Sequence, residues 1–207
     1  MKQLFSLFAG LFLLCGNAFS SEETPDALVK RVTDEVLTIV RADKDIQGGS
    51  TKKAIELVEA KVLPHFNFTR MTALAVGKDW NKANPEQKKR LAEEFRTLLV
   101  RTYSNALTAY KNQTVVYKPL KMQPGETDVL VRTEIRQPGQ QPVLLDYGLE
   151  KQDSAWKVYD VVVAGISLVT NYRETFAQEV RAGGIDGLIA SIAAKNKQIA
   201  EKAEKKS

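Results

Sequence analysis

The stretch that most constrains the fold, residues 155–178, changes its apolar pattern at Gly165. Before this glycine, residues 155–163 are rich in β-branched and aromatic side chains, which favour a pleated, half-buried strand. After it, apolar side chains recur at the spacing of one helix face, at Ile166, Val169, Tyr172 and Phe176. The pattern predicts a strand followed by a helix that folds back over the sheet. Such a junction can enclose a packed apolar interior or a pocket.

Three further strands are predicted before this one, over residues 114–120, 127–136 and 143–151. Pro-Gly pairs at 124–125 and 138–139 separate them, as expected of turns. One face of the second strand is formed by Val129, Val131, Thr133 and Ile135. Charged side chains alternate with these residues, so the segment reads as an antiparallel strand with one face in water. The sequence therefore predicts a sheet of four antiparallel strands.

The remaining patterns are helical. Thr24 and Pro25 mark a helix start, and Thr51 is predicted to cap a second helix that ends at Pro64. A short third helix is predicted over residues 66–76. The strongest signal is Asn84-Pro85-Glu86-Gln87, a capping box that opens a helix predicted to reach Tyr110. Gly183 and Gly184 are read as a helix end, with a last helix from Ile185.

Helices, then an antiparallel meander, then helices indicate the α+β class. We expect one curved, four-stranded sheet covered on one face by helices. This arrangement resembles the cystatin-like or NTF2-like cone, with additional helices.

The first twenty residues are typical of a signal peptide that is removed on export. A short positive start precedes an apolar run at 4–14, and cleavage is predicted after Ser20, with Ala18 as the competing position. The mature chain, residues 21–207, is then expected to be one domain. Cys15 is the single cysteine, so the mature chain would hold none, as suits an oxidising compartment. No later stretch reaches the ~20 apolar residues that a spanning helix needs.

The sequence offers little to an enzyme or a nucleic-acid binder. The formal charge is +5, but charges of both signs are interspersed and no basic stripe stands out. His65, the one histidine, follows a proline and is expected to have a structural or surface role. The serine-hydrolase, zinc-protease and phosphate-loop motifs are absent, and no metal site is predicted. Two strand carboxylates remain, Asp146 on the predicted wet face and Asp160, and an isomerase- or hydrolase-like cone using Asp160 is kept as an alternative.

Three stretches together resemble the MlaC family, also called toluene-tolerance auxiliary proteins. The first runs from Trp156-Lys-Val-Tyr-Asp-Val through Gly165-Ile-Ser-Leu-Val to Asn171-Tyr-Arg-Glu-Thr-Phe176. The second runs from Pro64-His-Phe-Asn-Phe-Thr-Arg-Met71 to Gly77-Lys-Asp-Trp80, and the third is Phe95-Arg-Thr-Leu-Leu-Val-Arg-Thr-Tyr103. Members are periplasmic phospholipid carriers in the machinery that maintains the lipid asymmetry of the outer membrane.

The resemblance implies a monomeric periplasmic carrier that is not an enzyme and needs no cofactor. It holds the acyl chains of a phospholipid in an apolar cavity, with the headgroup near solvent. The implied protein partners are an inner-membrane ABC-transporter complex with an MCE subunit and an outer-membrane lipoprotein–porin complex. Nucleic acid is not among the expected partners.

Periodicity alone leaves open whether the apolar stripes fill a core or line a cavity, and the resemblance favours a cavity. The candidate lining residues are Leu74, Phe95, Leu99, Tyr103, Leu107, Val131, Leu145, Tyr147, Val161, Val163, Ile166, Val169, Tyr172, Phe176 and Leu188. Arg173 has two interpretations: it pairs with a carboxylate and holds its helix in place, or it meets a lipid phosphate at the cavity mouth. A solid core would instead suit a protein-interaction or chaperone module.

Overall fold

The computed structural model describes residues 22–204, so the predicted signal peptide lies outside the described residues. The helices are α1 (Pro25–Ala42), α2 (Lys44–Gln47), α3 (Thr51–Lys61), α4 (Phe68–Val76), α5 (Pro85–Tyr103) and α6 (Arg173–Glu204). The strands are β1 (Thr114–Tyr117), β2 (Asp128–Arg136), β3 (Val143–Gln152), β4 (Ala155–Val163) and β5 (Ile166–Ser167). Within residues 22–204 no helix has the length and hydropathy to cross a membrane.

The strands form one antiparallel sheet in the order β1-β2-β3-β4-β5. The α+β class is confirmed, but the sheet has five strands rather than the predicted four. The fifth strand pairs Ile166 with Val163, and the turn between them holds Ala164 and Gly165 at φ 50° and 83°. Two consecutive positive φ values are those of a tight hairpin turn. The prediction of a helix beginning at Ile166 is therefore wrong, because α6 begins only at Arg173.

A bulge between β3 and β4 changes which side chains face the interior. Gly148 pairs with Asp160 whereas Leu149 pairs with Val158, so Tyr159 is an extra residue on β4. An extra residue reverses the alternation of a strand beyond it. As a result, Val158 before the bulge and Val161 after it lie on the same face of the sheet. Their cross-strand partners on β3 are Leu149 and Tyr147.

Most helix boundaries follow local capping chemistry. The predicted box at the start of α5 is confirmed, since the Asn84 side chain accepts from the Gln87 amide and the Gln87 side chain accepts from that of Asn84. Ser50, not Thr51, caps α3. The start of α4 is two residues later than predicted, because Phe66 forms a β-bridge to Val158 before the helix begins.

Two predicted helix ends can be compared with the structure. The helix α5 ends at Tyr103, short of the predicted Tyr110, and a 3-10 turn at Ser104–Leu107 follows it. Gly184 leaves the helical region at φ 69° within α6, at the boundary predicted from the glycine pair.

Three hydrophobic clusters hold these elements together. The helical cluster joins α4, α5 and α6 around Phe95, Phe176 and Leu188. The sheet cluster joins α1 to β2, β3 and β4 through Leu28, Val29, Val131, Leu149 and Val158. The third cluster joins α1, α2 and α3 to Tyr110 through Val36, Val40, Ile46 and Leu57. The α+β class is established by these elements, and the cone shape of the sheet stays a prediction.

Candidate functional site

A cavity of about 390 Å³ lies where the three hydrophobic clusters meet. Its walls include Met71 and Leu99 of the helical cluster, Leu28 and Val158 of the sheet cluster, and Tyr110 of the third. That volume falls within the range of ordinary small-molecule sites, ~300–1,000 Å³. The space therefore opens between separately packed units and is not a defect inside any one of them.

Helices supply one side of the cavity. The stripe of α1 recurs every three or four residues, which places its apolar side chains on one face. This face contributes Leu28, Val29, Val32, Thr33, Val36 and Leu37. Residues at the end of α3, in the turn after it and in α4 form a second wall: Val58, Val62, Leu63, His65, Phe66, Phe68 and Met71. The end of α5 and the segment after it form a third: Leu99, Val100, Tyr103, Ser104, Ala106, Leu107 and Tyr110.

The inner face of the sheet supplies the opposite side, together with Leu168 beyond β5. The strand residues are Val115, Ile135, Leu145, Tyr147, Val158 and Val161. Cross-strand partners lie on the same face of a sheet, as do Val115 with Ile135 and Tyr147 with Val161. Without the bulge at Tyr159, Val158 and Val161 would point to opposite faces.

The lining is apolar and carries no full charge. Its described residues include no Asp, Glu, Lys or Arg, and the polar side chains among them belong to Thr33, His65, Tyr103, Ser104, Tyr110 and Tyr147. Burial raises the pKa of Tyr147 to about 12, so its hydroxyl stays neutral. Burial, with the nearby cations Arg31 and Lys157, lowers the pKa of His65, so its imidazole is neutral at neutral pH. Such a space favours hydrocarbon over any charged ligand group.

The structure divides the candidate lining residues into two groups. Six of them line the cavity: Leu99, Tyr103, Leu107, Leu145, Tyr147 and Val161. Most of the others belong to the filled helical cluster, where Phe95, Val169, Phe176 and Leu188 are buried and Leu74 and Tyr172 pack against them. Val131 lies in the sheet cluster. Val163 is the cross-strand partner of Leu145, and Ile166 is 61% exposed.

Packing explains this division. The rings of Phe95, Tyr172 and Phe176 pack against one another at centroid distances of 5.2 to 5.3 Å. They fill the space between α5 and α6 that a cavity would otherwise occupy. Leu99 and Tyr103, farther along α5, lie beyond these three rings and line the cavity.

Arg173 holds its helix in place, as one of its two interpretations expected, but its partner is a backbone carbonyl and not a carboxylate. Its Nε and Nη2 atoms donate to the Leu74 carbonyl oxygen at 3.1 and 2.9 Å, and the side chain lies 3.8 Å from the position of a Cβ on Gly77. The last carbonyls of a helix lack intrahelical partners and attract cations. Arg173 therefore holds the start of α6 against the end of α4, away from the cavity lining.

Asp160 also lies outside the cavity lining. Its Oδ1 atom accepts hydrogen bonds from the Ser167 hydroxyl at 2.9 Å and from the Val161 amide at 2.8 Å. Burial raises the pKa of this carboxyl, while these donors oppose the rise. Asp146 is the cross-strand neighbour of the exposed residue Arg132 in the register of β2 and β3. Asp160 thus joins β4 to β5 and contributes to neither the lining of the cavity nor an opening into it.

The sequence interpretation found part of the wall at the end of α5, through Leu99, Tyr103 and Leu107, but missed the walls formed by α1 and by the segment from α3 to α4. No residue of the apolar face of α1 was among the candidate lining residues. The turn from Val62 to Phe66 carries no periodic signal, and His65 within it was expected to have a structural or surface role. A metal centre is not indicated either, since residues 22–204 contain no group of three or more His, Cys, Asp or Glu side chains suited to hold one.

Comparison with known proteins adds independent information. A family model described as MlaC protein matches residues 30–194. The intermembrane phospholipid transport system binding protein MlaC of Haemophilus influenzae is 26% identical over 184 residues, which cover 87% of this chain and 86% of that protein. The toluene tolerance protein ttg2D of Pseudomonas putida is 29% identical over 192 residues, covering 89% and 88%.

A solved structure is similar in fold and sequence. It is the phospholipid-binding protein from Ralstonia solanacearum in complex with a phospholipid. The two superpose with a TM-score of 0.78 at 40% identity, over 84% of this chain and 98% of that one.

Proposed function

This chain belongs to the MlaC protein family, and we propose that it binds a phospholipid and carries it between the inner and outer membranes. The observation that carries the proposal is the cavity, which is uncharged and apolar and lies between separately packed clusters. A relative named for phospholipid transport and a similar structure solved with a phospholipid support it.

The physical task of a carrier is to keep acyl chains out of water. Each CH₂ group moved from water to an apolar site is stabilised by ~0.8 kcal/mol, so free transfer of two acyl chains through water is very slow. A protein that encloses the chains removes most of this barrier without covalent chemistry. We assign the acyl chains to the cavity, with Leu99, Tyr103, Leu107, Leu145, Tyr147 and Val161 and the apolar face of α1 as contacts.

We place the working compartment of this chain in the periplasm. The proposed signal peptide directs the chain to the periplasm, where residues 21–207 act as one lipid-binding domain and as a monomer. The partners we propose are an inner-membrane ABC-transporter complex with an MCE subunit and an outer-membrane lipoprotein–porin complex. They would donate and accept the lipid, and periplasmic delivery between them would maintain lipid asymmetry.

A vesicle assay tests this function. Donor vesicles with a labelled phospholipid and separable acceptor vesicles are mixed with the mature protein, and label in the acceptors is followed over time. We expect transfer to rise in proportion to protein concentration. Label that remains in the donors at every protein concentration would contradict a carrier role.

A further inference from the structure

A second, polar hollow adjoins the cavity between α1 and the start of β1. Its walls are Asp34, Leu37, Thr38, Arg41, Thr114 and Val115. Leu37 and Val115 also line the cavity, so the two spaces meet at these side chains. A ligand whose apolar part fills the cavity can therefore place a polar group in the hollow.

Arg41 brings an available positive charge to this junction. It lies within 4 Å of no carboxylate in the part of the chain described. Its Nη2 atom donates to the hydroxyl of Tyr110 at 2.5 Å, and its guanidinium carbon lies 5.4 Å from the centre of the same ring. Tyr110 lines the cavity and donates in turn to the Gln113 carbonyl. The guanidinium is thus held in place by a cavity-wall residue while most of its N–H groups stay free to donate.

The neighbouring groups favour an anion. Asp34, the carboxylate of the hollow, is already engaged, since it pairs with Lys30 and accepts from the Tyr117 hydroxyl. Lys30, outside the hollow, and Arg41, in its wall, both lower the pKa of Asp34, and the three groups together carry a net positive charge. The Thr38 hydroxyl donates to the Asp34 carbonyl and is occupied, whereas Thr114 is the hydroxyl-bearing residue of the opposite wall.

From this arrangement we infer that Arg41, aided by Thr114, binds the phosphodiester of the phospholipid at the junction of the hollow and the cavity. The inference rests on the proposed lipid binding and gives it a polar contact. It assigns to Arg41 the role that the sequence interpretation considered for Arg173. A guanidinium suits a phosphate because its planar N–H groups can donate two parallel hydrogen bonds to two oxygens.

A competition experiment tests the assignment. Lipid-stripped mature protein is mixed with equal amounts of phosphatidylglycerol and of diacylglycerol with the same acyl chains, and native mass spectrometry counts each complex. We expect the wild type to prefer the phospholipid and Arg41→Gln to lower the preference about tenfold, the scale of one lost charge-assisted hydrogen bond. Arg41→Lys should retain part of it. Lys52→Gln removes an exposed charge outside the hollow and should change nothing.

The outcomes separate this inference from the proposed function. Equal binding of both lipids by the wild type, or an unchanged preference in Arg41→Gln, would overturn the phosphate site and leave the carrier function standing. Binding of neither lipid by the wild type would overturn both. A third arm adds inorganic phosphate to the lipid-free protein: tight Arg41-dependent binding of it, without a lipid preference, would show a site for a free anion and overturn the assignment. If Arg41→Gln fails to fold, Thr114→Val decides, with a loss of about threefold expected for one neutral hydrogen bond.

Discussion

The ring of Tyr159 lies directly over Gly148 on the adjacent strand. A Cβ added to Gly148 would come within 3.1 Å of Cζ and 3.2 Å of Cε2 of this ring. The ring is held from two further sides, by the Arg70 guanidinium 3.6 Å from its centre and by a 2.6 Å hydrogen bond from its hydroxyl to Asp128. This contact fixes the bulge that brings both Val158 and Val161 to the cavity.

We predict that Gly148→Ala destabilises the fold by about 1–3 kcal/mol, the usual cost of overpacking. The anchored ring cannot move aside without losing one of its two contacts. Urea denaturation monitored by circular dichroism measures the change. Gly183→Ala is the matched control, because nothing lies within 4 Å of its added Cβ, and it should leave the stability unchanged or raise it by up to about 1 kcal/mol. Equal stabilities of the two variants would show that the contact with Tyr159 is not restrictive.

A larger side chain at Val161 should block the ligand without disturbing the fold. In Val161→Trp the indole would occupy part of the cavity, and displacing two buried CH₂ groups of an acyl chain at ~0.8 kcal/mol each lowers affinity at least about tenfold. Phospholipid retained by the purified variant is the readout. Val162→Trp changes the next residue, on the other face of the strand, and should retain lipid as the wild type does. Full occupancy in Val161→Trp would contradict the placement of acyl chains in this cavity.

The sequence was most informative where structure depends on neighbouring residues. The capping box at Asn84 and Gln87 follows from local chemistry and is confirmed, and the alternation of β2 is confirmed from Val129 to Thr133, beyond which Glu134 of the predicted wet face is buried. The hairpin at Ala164 and Gly165 was missed because a type I′ turn usually carries Asn or Asp before its glycine, and alanine is costly at positive φ. Without that turn, the apolar residues after Gly165 fit a helix equally well.

The site was less predictable for a different reason. Phe95 and Leu99 lie on one stripe of the same helix, yet one packs against α6 and the other faces the cavity. Periodicity identifies the buried face of an element, whereas the distance to the next element decides whether that face meets a neighbour or open space. Arg41 had no local signal at all, because its importance depends on Tyr110 and β1, which are distant in sequence.

Asp160 should prove structural rather than catalytic. Asp160→Asn keeps an acceptor for Ser167 and Val161, so we expect thermal stability and lipid retention close to those of the wild type. Asp160→Ala removes the acceptor of the hydrogen bonds from the half-buried Ser167 hydroxyl and the Val161 amide, and we expect it to cost about 1–3 kcal/mol. Lipid lost from a stably folded Asp160→Asn variant would contradict this role.

His65 should make the protein less stable in mild acid. Its pKa in the folded protein lies below the ordinary value of 6.5, so the unfolded chain binds the proton more readily. The free energy of unfolding should therefore fall as the pH drops through 6.5 toward the lower folded-state value. Carboxyls with lowered pKa values, such as Glu134, lose their contribution only at lower pH, as the pH falls through their folded-state pKa below 4.5.

The measurement for His65 is urea unfolding between about pH 7.5 and 5, for the wild type and for His65→Gln. The variant should show a smaller loss of stability over this range. Superimposable profiles would mean that His65 titrates alike in the folded and unfolded chains.

The most direct test of the central claim is the mass of the purified protein with whatever it holds. Mature protein is isolated from a bacterial host without detergent and analysed by native mass spectrometry, and the same sample is extracted for lipid analysis. We predict one phospholipid per chain, retained through washing, because the cavity is uncharged and apolar. A ligand-free mass, together with no uptake from added vesicles, would contradict the claim that this cavity carries lipid.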